Sequence, residues 1–292
     1  MSFAILTDTS ANLPAPMAQQ LEVGVIPFSF HTLGADRVCT DPEEFDGAAF
    51  YGAMRRGTEV STSLISPQRY MCFFRPYLEA GQDLLFVSMS SGISGSCQAA
   101  GVAMAELAGE FPRRRMRLVD SLGASLGEGL LVLRAAEYRS RGMGVEAAAE
   151  HLLSLRHRIC QVFTVDDLAY LKKGGRLSGV AAAVGTVLNI KPLLKGDENG
   201  RIVACGRARG RAKSVEALAE RYEALADHPE RQTVGIAQAD CPEDAARLET
   251  LLRRSRPPKE ILTVSYEPVT GSHVGPGALA LFFEGVRDVR KK

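Results

Sequence analysis

No run of 18 apolar residues occurs in this chain of 292 residues, so no transmembrane helix or stable membrane insertion is expected. The opening Met1-Ser2-Phe3-Ala4-Ile5-Leu6-Thr7-Asp8 has no basic stretch, and its apolar run is too short for a secretory signal peptide. Neither sign of charge predominates. The 35 Lys and Arg face 34 Asp and Glu, and a formal net charge of +1 gives no whole-protein footprint for nucleic acid. No C-x-x-C pair exists among Cys39, Cys72, Cys97, Cys160, Cys205 and Cys241, and only Cys160, three residues after His157, has a metal-like spacing. That scatter reads as buried free thiols in a reducing cytoplasm. No clustered His, Cys and Asp set suggests a catalytic metal. Nucleotide fingerprints are missing too: no G-x-G-x-x-G follows the first strand candidate, and Gly206 to Ser214 lacks the second glycine where a phosphate-binding loop needs it. A soluble cytoplasmic protein without metal or cofactor is the expectation.

What is present is 46% hydrophobic residues, enough for one large core or two smaller ones. Strand-like runs at 3–6, 23–30, 84–89 and 117–119 alternate with helical stretches at 67–78, 94–110, 127–138 and 145–158. Pro27 marks the second run as an edge or a bulge. Ser66-Pro67 is a helix start, with Ser66 as N-cap. Strand, polar turn and helix in repetition predict a parallel sheet with helices on both faces. The texture changes after Arg158. A strand candidate at 161–165 precedes a basic, glycine-rich block and a small-residue helix at 180–188. A hairpin is predicted from 191–194 and 201–205 around Gly196-Asp197-Glu198-Asn199-Gly200. Helix and strand then alternate to a last strand at 278–283. The prediction is an α/β protein of two domains. Residues 1–158 form an N-terminal parallel-sheet domain, and residues 159–292 a C-terminal α/β domain with a mixed sheet.

Four motifs offer chemistry. Ser61-Thr62-Ser63 stands just before the helix start at Ser66, where free N–H groups favour an anion; taken alone, ordinary capping is the simpler explanation. Ser88 to Ser96 is a hydroxyl-rich glycine loop after a strand end, where open α/β sheets bind ligands. Two such loops in one domain suggest one shared anion. Ser94 also admits an alternative, a serine-dependent esterase or acyl-transfer enzyme with Asp120 and His273, although Gly92-Ile93-Ser94-Gly95-Ser96 lacks the final glycine of a nucleophile elbow. Gly271 to Gly277 reads as a tight loop with His273 at its tip, either a surface histidine or a donor to a head group. Arg207, Arg209 and Arg211 recur at period two, so in a strand they share a face, to which Lys172, Lys173 and Arg176 add charge. That patch is either a solvated edge or a phosphate- or partner-binding surface.

Several pieces, in order along essentially the whole chain, together resemble the DegV family, the fatty-acid-binding subunits of bacterial fatty acid kinases. They are Thr7-Asp8-Thr9-Ser10, Thr62-Ser63-Leu64-Ile65-Ser66-Pro67, Ser90-Ser91-Gly92-Ile93-Ser94-Gly95-Ser96, Asp120-Ser121, Leu168 to Ser178 containing Lys172-Lys173-Gly174-Gly175-Arg176, Ile190-Lys191-Pro192-Leu193, and His273-Val274-Gly275-Pro276-Gly277. The resemblance implies a long-chain fatty acid in a tunnel between two α/β domains, and no catalysis by this chain alone. It implies that Thr62 and Ser94 hold the carboxylate, with Ser63 and Gly95 beside them and His273 near the head group. It implies that Arg176 and Arg209 dock a separate kinase subunit, which carries ATP and makes the acyl phosphate. A carrier that must dock elsewhere is expected to be a monomer when free. The family's Leu-Ser-Gly-Thr-Tyr appears here as Ile93-Ser94-Gly95-Ser96-Cys97, which keeps the hydroxyl and loses the aromatic ring.

Overall fold

The computed structural model describes residues 3–38, 45–177 and 189–291. The elements in chain order begin with β1 (Ala4–Asp8), α1 (Ala15–Gln20), β2 (Val23–Ile26), β3 (Ser29–Thr32), β4 (Ala35–Val38) and α2 (Gly47–Arg55). Next come β5 (Val60–Ser63), α3 (Pro67–Glu79), β6 (Leu84–Ser88), α4 (Ser96–Glu110), β7 (Met116–Asp120), α5 (Leu126–Ser140) and α6 (Val145–Leu155). The later elements are β8 (Ile159–Thr164), α7 (Ala169–Lys173), β9 (Ile190–Gly196), β10 (Ile202–Arg209), α8 (Arg211–Leu225), β11 (Thr233–Gln238), α9 (Pro242–Ser255), β12 (Glu260–Ser265), α10 (Pro268–Val274) and β13 (Leu279–Glu284). The small-residue helix predicted at 180–188 lies outside the described residues.

The chain forms two compact units, one of residues 1–45 and 61–156, the other of residues 46–60 and 157–292. In the first, β2, β1, β6 and β7 form a parallel sheet in that order. Every residue of β1 and β6 is buried, as a parallel sheet covered by helices on both faces requires. Helix α3 packs with α4, and α5 with α6. Tyr70, Phe74 and Phe86 centre the core: the Phe86 ring meets Tyr70 and Phe74 edge-on at 5.3 and 5.2 Å between centroids. The single strand expected at 23–30 is two strands. Pro27 offers no N–H, β2 ends at Ile26 in the parallel sheet, and β3 starts a separate sheet ordered β4, β3, β5. That sheet is held to α3 by Arg69, which donates to the Ser29 hydroxyl at 3.1 Å and the Pro27 carbonyl at 2.7 Å.

The second unit is built on a mixed sheet ordered β10, β9, β8, β13, β11, β12, antiparallel except for the parallel pair β11 and β12. The hairpin of β9 and β10 forms as its turn residues predict. Asp197 caps the turn by accepting N–H bonds from Asn199 and Arg201, and Gly200 takes φ of 69°. Its core gathers Val215, Leu218 and Tyr222 of α8, Leu248 and Leu252 of α9, and Leu281 and Phe283 of β13. Arg211 does not extend the arginine row of the strand. It opens α8 and binds Asp244 at 2.8 Å.

The units are not the contiguous stretches 1–158 and 159–292, because residues 46–60 belong with the second. Helix α2 is tied there by side chains. The Tyr51 hydroxyl donates to the Tyr266 carbonyl at 2.7 Å, and Arg55 pairs with Asp240. Gly271 makes this fit possible, since a Cβ at that position would overlap the Tyr51 hydroxyl.

Candidate functional site: two hydroxyl loops and a half-buried histidine

Strand β5 delivers Thr62. Burial alternates along it, so half-buried Thr62 and exposed Ser63 point to opposite faces. The chain then drops Ile65 fully into the core, and the Ser66 hydroxyl caps α3 by accepting the Arg69 N–H at 3.3 Å.

Ser94 is delivered by the loop between β6 and α4. Asp120, at the end of β7, pins that loop: its carboxylate accepts the Ser91 hydroxyl at 2.6 Å, the Ser91 N–H at 3.2 Å and the Leu122 N–H at 3.0 Å. The Ser90 N–H donates to the Gly123 carbonyl at 2.8 Å, and the Ser94 N–H to the Ser90 carbonyl at 3.1 Å. Ser94 Oγ accepts the Ser96 N–H at 3.2 Å and lies 3.1 Å from Ser96 Oγ. The two hydroxyl loops meet here. The Ile65 N–H donates to Ser96 Oγ at 3.4 Å, and a Cβ on exposed Gly95 would lie 3.6 Å from Leu64 Cδ2. The sequence offers Ser96 only as one hydroxyl of the loop; the fold makes it the residue that joins the two loops.

A buried polar layer belongs to the same unit. Asp8 and Glu128 are both fully buried, and the Ser10 hydroxyl lies against both carboxyl groups, 2.6 Å from Glu128. Thr7 Oγ1 lies 2.8 Å from Glu128, and Asp8 accepts the Ser10 N–H at 2.9 Å. One hydroxyl carries one proton and cannot donate to two carboxylates, so this arrangement favours a protonated carboxyl. Consistent with that, burial pushes Asp8 from its ordinary 3.8 up to about 6, against the Ser10 hydrogen bonds, which pull it down. Burial also pushes the Cys97 thiol up to about 12, so Cys97 is an inert packing residue. The Thr7-Asp8-Thr9-Ser10 motif thus builds the floor of the unit.

In the second unit His273 is not at a loop tip. It occupies the last turn of α10, and the loop begins at Gly275. Gly275 takes φ of 80° and ψ of 164°, a conformation nearly confined to glycine, and a Cβ there would overlap the Tyr170 ring. The glycine-rich block stacks on the same place: a Cβ on Gly174 would come within 2.5 Å of His273 Nδ1. Burial, with a smaller contribution from the nearby Arg176 guanidinium, lowers the imidazole from 6.5 to about 4. His273 is therefore neutral at physiological pH, a donor and acceptor rather than a cation. Arg176 also donates to the Gly174 carbonyl. Arg209 is exposed at the end of the edge strand β10. The Lys172-Lys173-Gly174-Gly175-Arg176 block and His273 are thus brought together, and Arg209 stands apart on the hairpin.

Among the described residues of the first unit no imidazole bonds to Ser94, and Asp120 is engaged by Ser91 and Leu122. Among the described residues no group of three or more His, Cys, Asp and Glu could hold a metal, and no helix is long and apolar enough to cross a membrane.

A parallel α/β unit whose two hydroxyl loops meet, joined in sequence to a mixed-sheet unit with a half-buried, neutral histidine, defines a two-domain α/β protein. Residues 2–285 match the model of a family described as an uncharacterised protein, DegV family. The DegV domain-containing protein CPE0026 of Clostridium perfringens is 35% identical over 283 residues, 97% of each chain. Among solved structures, the chain is similar to a DegV family protein from Thermus thermophilus described for its fatty acid binding. That likeness has 32% identity and a TM-score of 0.89, and covers 98% of this chain and 100% of that one. It is also similar to the fatty acid binding DegV family protein SAG1342 of Streptococcus agalactiae, with 27% identity, a TM-score of 0.84, and 97% and 98% of the two chains covered. The chain belongs to the DegV family.

Proposed function

We propose that this chain binds a long-chain fatty acid, with the Thr62 and Ser94 hydroxyls as the donors to its carboxylate. Ser63 and the Gly95 backbone complete that reading at the two loops, and His273 contributes near the head group. The observation that carries it is the junction of the two loops: Ser94 Oγ lies 3.1 Å from Ser96 Oγ, which accepts the Ile65 N–H three residues beyond Thr62. Relatives described as fatty acid binding support it. An ionised carboxylate needs several donors when taken from water, and loop hydroxyls and N–H groups supply them without a fixed positive charge. The apolar chain supplies the affinity: about 15 methylenes at ~0.8 kcal/mol each give roughly 12 kcal/mol, offset in part by ~4–15 kcal/mol of association costs.

The chain then presents the carboxylate to a separate ATP-bearing kinase subunit for acyl phosphate formation, with Arg176 and exposed Arg209 at the docking surface. In this reading the chain is a lipid-binding subunit and performs no catalysis itself. The test is titration of the purified chain with a fluorescent long-chain fatty acid. Thr62→Ala and Ser94→Ala are each expected to weaken binding by about tenfold, the loss of one hydrogen bond to a charged group. Unchanged affinity in the double variant would remove the head-group assignment. Turnover of an acyl ester that is lost in Ser94→Ala would replace the carrier with the esterase reading.

A further inference from the structure

We infer that Glu128 is a buried neutral carboxylic acid at neutral pH, a hydrogen-bond donor that clasps α5 to β1 and leaves one negative charge, on Asp8, at the head of the loop that carries Ser94.

Thr7, Asp8, Ser10 and Glu128 are all fully buried. They come from β1, the turn after it and the first turn of α5. The approach is close because residue 129 is glycine: a Cβ there would lie 2.6 Å from the Ala11 carbonyl oxygen. Each hydroxyl of the group lies between two acceptors. Thr7 Oγ1 is 2.9 Å from the Val87 carbonyl oxygen and 2.8 Å from Glu128 Oε1. Ser10 Oγ bonds Asp8 Oδ1 and lies 2.6 Å from Glu128 Oε2. A hydroxyl has one proton, so the second acceptor of each pair is matched in full only if it brings a proton of its own. The Val87 carbonyl has none to bring. Two ionised carboxylates on one Ser10 oxygen would set like charges together in a dry site with a single proton between them.

Backbone donors decide which acid keeps its charge. Asp8 also accepts the Ser10 N–H at 2.9 Å and the Met89 N–H at 3.4 Å. An N–H can only donate, so both bonds favour the ionised form of Asp8. The Ser10 hydroxyl therefore donates to Asp8, and its lone pairs face Glu128 Oε2, which supplies the missing proton. Thr7 then shares its proton between the Val87 carbonyl and Glu128 Oε1, which lie at nearly equal distances. Met89 is the first residue after β6, so the remaining charge on Asp8 holds the start of the loop that leads to Ser94. No cation answers Asp8 among the described residues. The other titratable groups that feel both acids are Tyr70 of α3 and Cys97 of α4; burial pushes both up, and both are neutral. Burial raises Asp8 itself to about 6, against the pull of Ser10 and Met89, which leaves it the ionised member above that pH.

The test is infrared spectroscopy of the full chain at neutral pH, repeated on a sample whose glutamate side-chain carboxyls carry carbon-13. The expected spectrum has the carbonyl stretch of a protonated carboxyl above the amide band. The label shifts that band down, and Glu128→Gln removes it. The amide keeps a donor for Ser10 and an acceptor for Thr7, so Glu128→Gln is also expected to leave the urea midpoint unchanged. A second carboxyl band, unmoved by the label, is expected to grow in as the pH falls through about 6 and Asp8 takes its proton. A spectrum with no protonated carboxyl at neutral pH overturns the inference. So does a band that the glutamate label leaves in place, or one that Glu128→Gln retains. If Glu128→Gln does not fold, the labelled native chain decides alone. None of these readings depends on what the chain binds.

Discussion

Both units shift an ionisable group toward its neutral form by burial, and the consequences for pH dependence run in opposite directions. In the first, an acid is weakened: Asp8, which accepts the Met89 N–H at 3.4 Å, has its pKa raised to about 6. In the second, a base is held unprotonated: His273 sits against the glycine-rich block with its pKa lowered to about 4. They are also fixed in place by different physics. The Ser94 loop is held by directional bonds, two of them from Ser91 to Asp120. His273 and its neighbours are held by steric fit, where missing Cβ atoms let backbone and rings approach. A loop that must offer hydroxyls is rigidified by polar bonds that leave its donors oriented. A neutral imidazole needs dry, close packing, and glycine supplies that at the expense of tolerance to change.

The contrast can be broken most severely on the steric side. Gly275→Ala adds overpacking against Tyr170 to a backbone conformation nearly closed to alanine. It should lower stability by about 4 kcal/mol, read from denaturant midpoints at constant slope. A loss under 1 kcal/mol would show that the Tyr170 ring moves freely and that steric fit is not what holds His273.

A smaller effect follows from the titrations. Asp8 has its folded pKa raised above the unfolded value, so its stabilising contribution is complete below about pH 4 and is lost as the pH rises through about 6. From 3.8 to about 6 this amounts to about 3 kcal/mol. His273 has its folded pKa lowered from 6.5, so its contribution is present above about pH 6.5 and lost as the pH falls toward about 4. Asp8→Asn should therefore remove a loss of stability on going from pH 4 to pH 7, and His273→Asn a gain over the same range, both measured by urea unfolding. Slopes of the same sign for the two variants would contradict a raised Asp8 and a lowered His273.

Much of the scaffold was legible because local chemistry decided it. Ser66-Pro67 carries its own cap and first helical residue, and the helix begins there. Asp197 to Gly200 specifies its turn. Where long-range contacts decide, the sequence was silent. The affiliation of residues 46–60 rests on Tyr51 with Tyr266 and Arg55 with Asp240, partners 215 and 185 positions apart. Pro27 signalled a break in a strand but not that the two halves enter different sheets. The glycines around His273 suggested a loop, although Gly271 lies within α10 and is there for Tyr51. Of the site, Thr62, Ser94 and Arg176 stood out as motif members. Ser96 was visible only as another hydroxyl in a run.

Native mass spectrometry of the purified chain, followed by denaturation and identification of what is released, tests the central claim most directly. The account predicts a stoichiometric free fatty acid, lost or exchanged more readily from the Thr62→Ala, Ser94→Ala double variant. A clean mass with nothing bound, unchanged after incubation with mixed long-chain fatty acids, would contradict it.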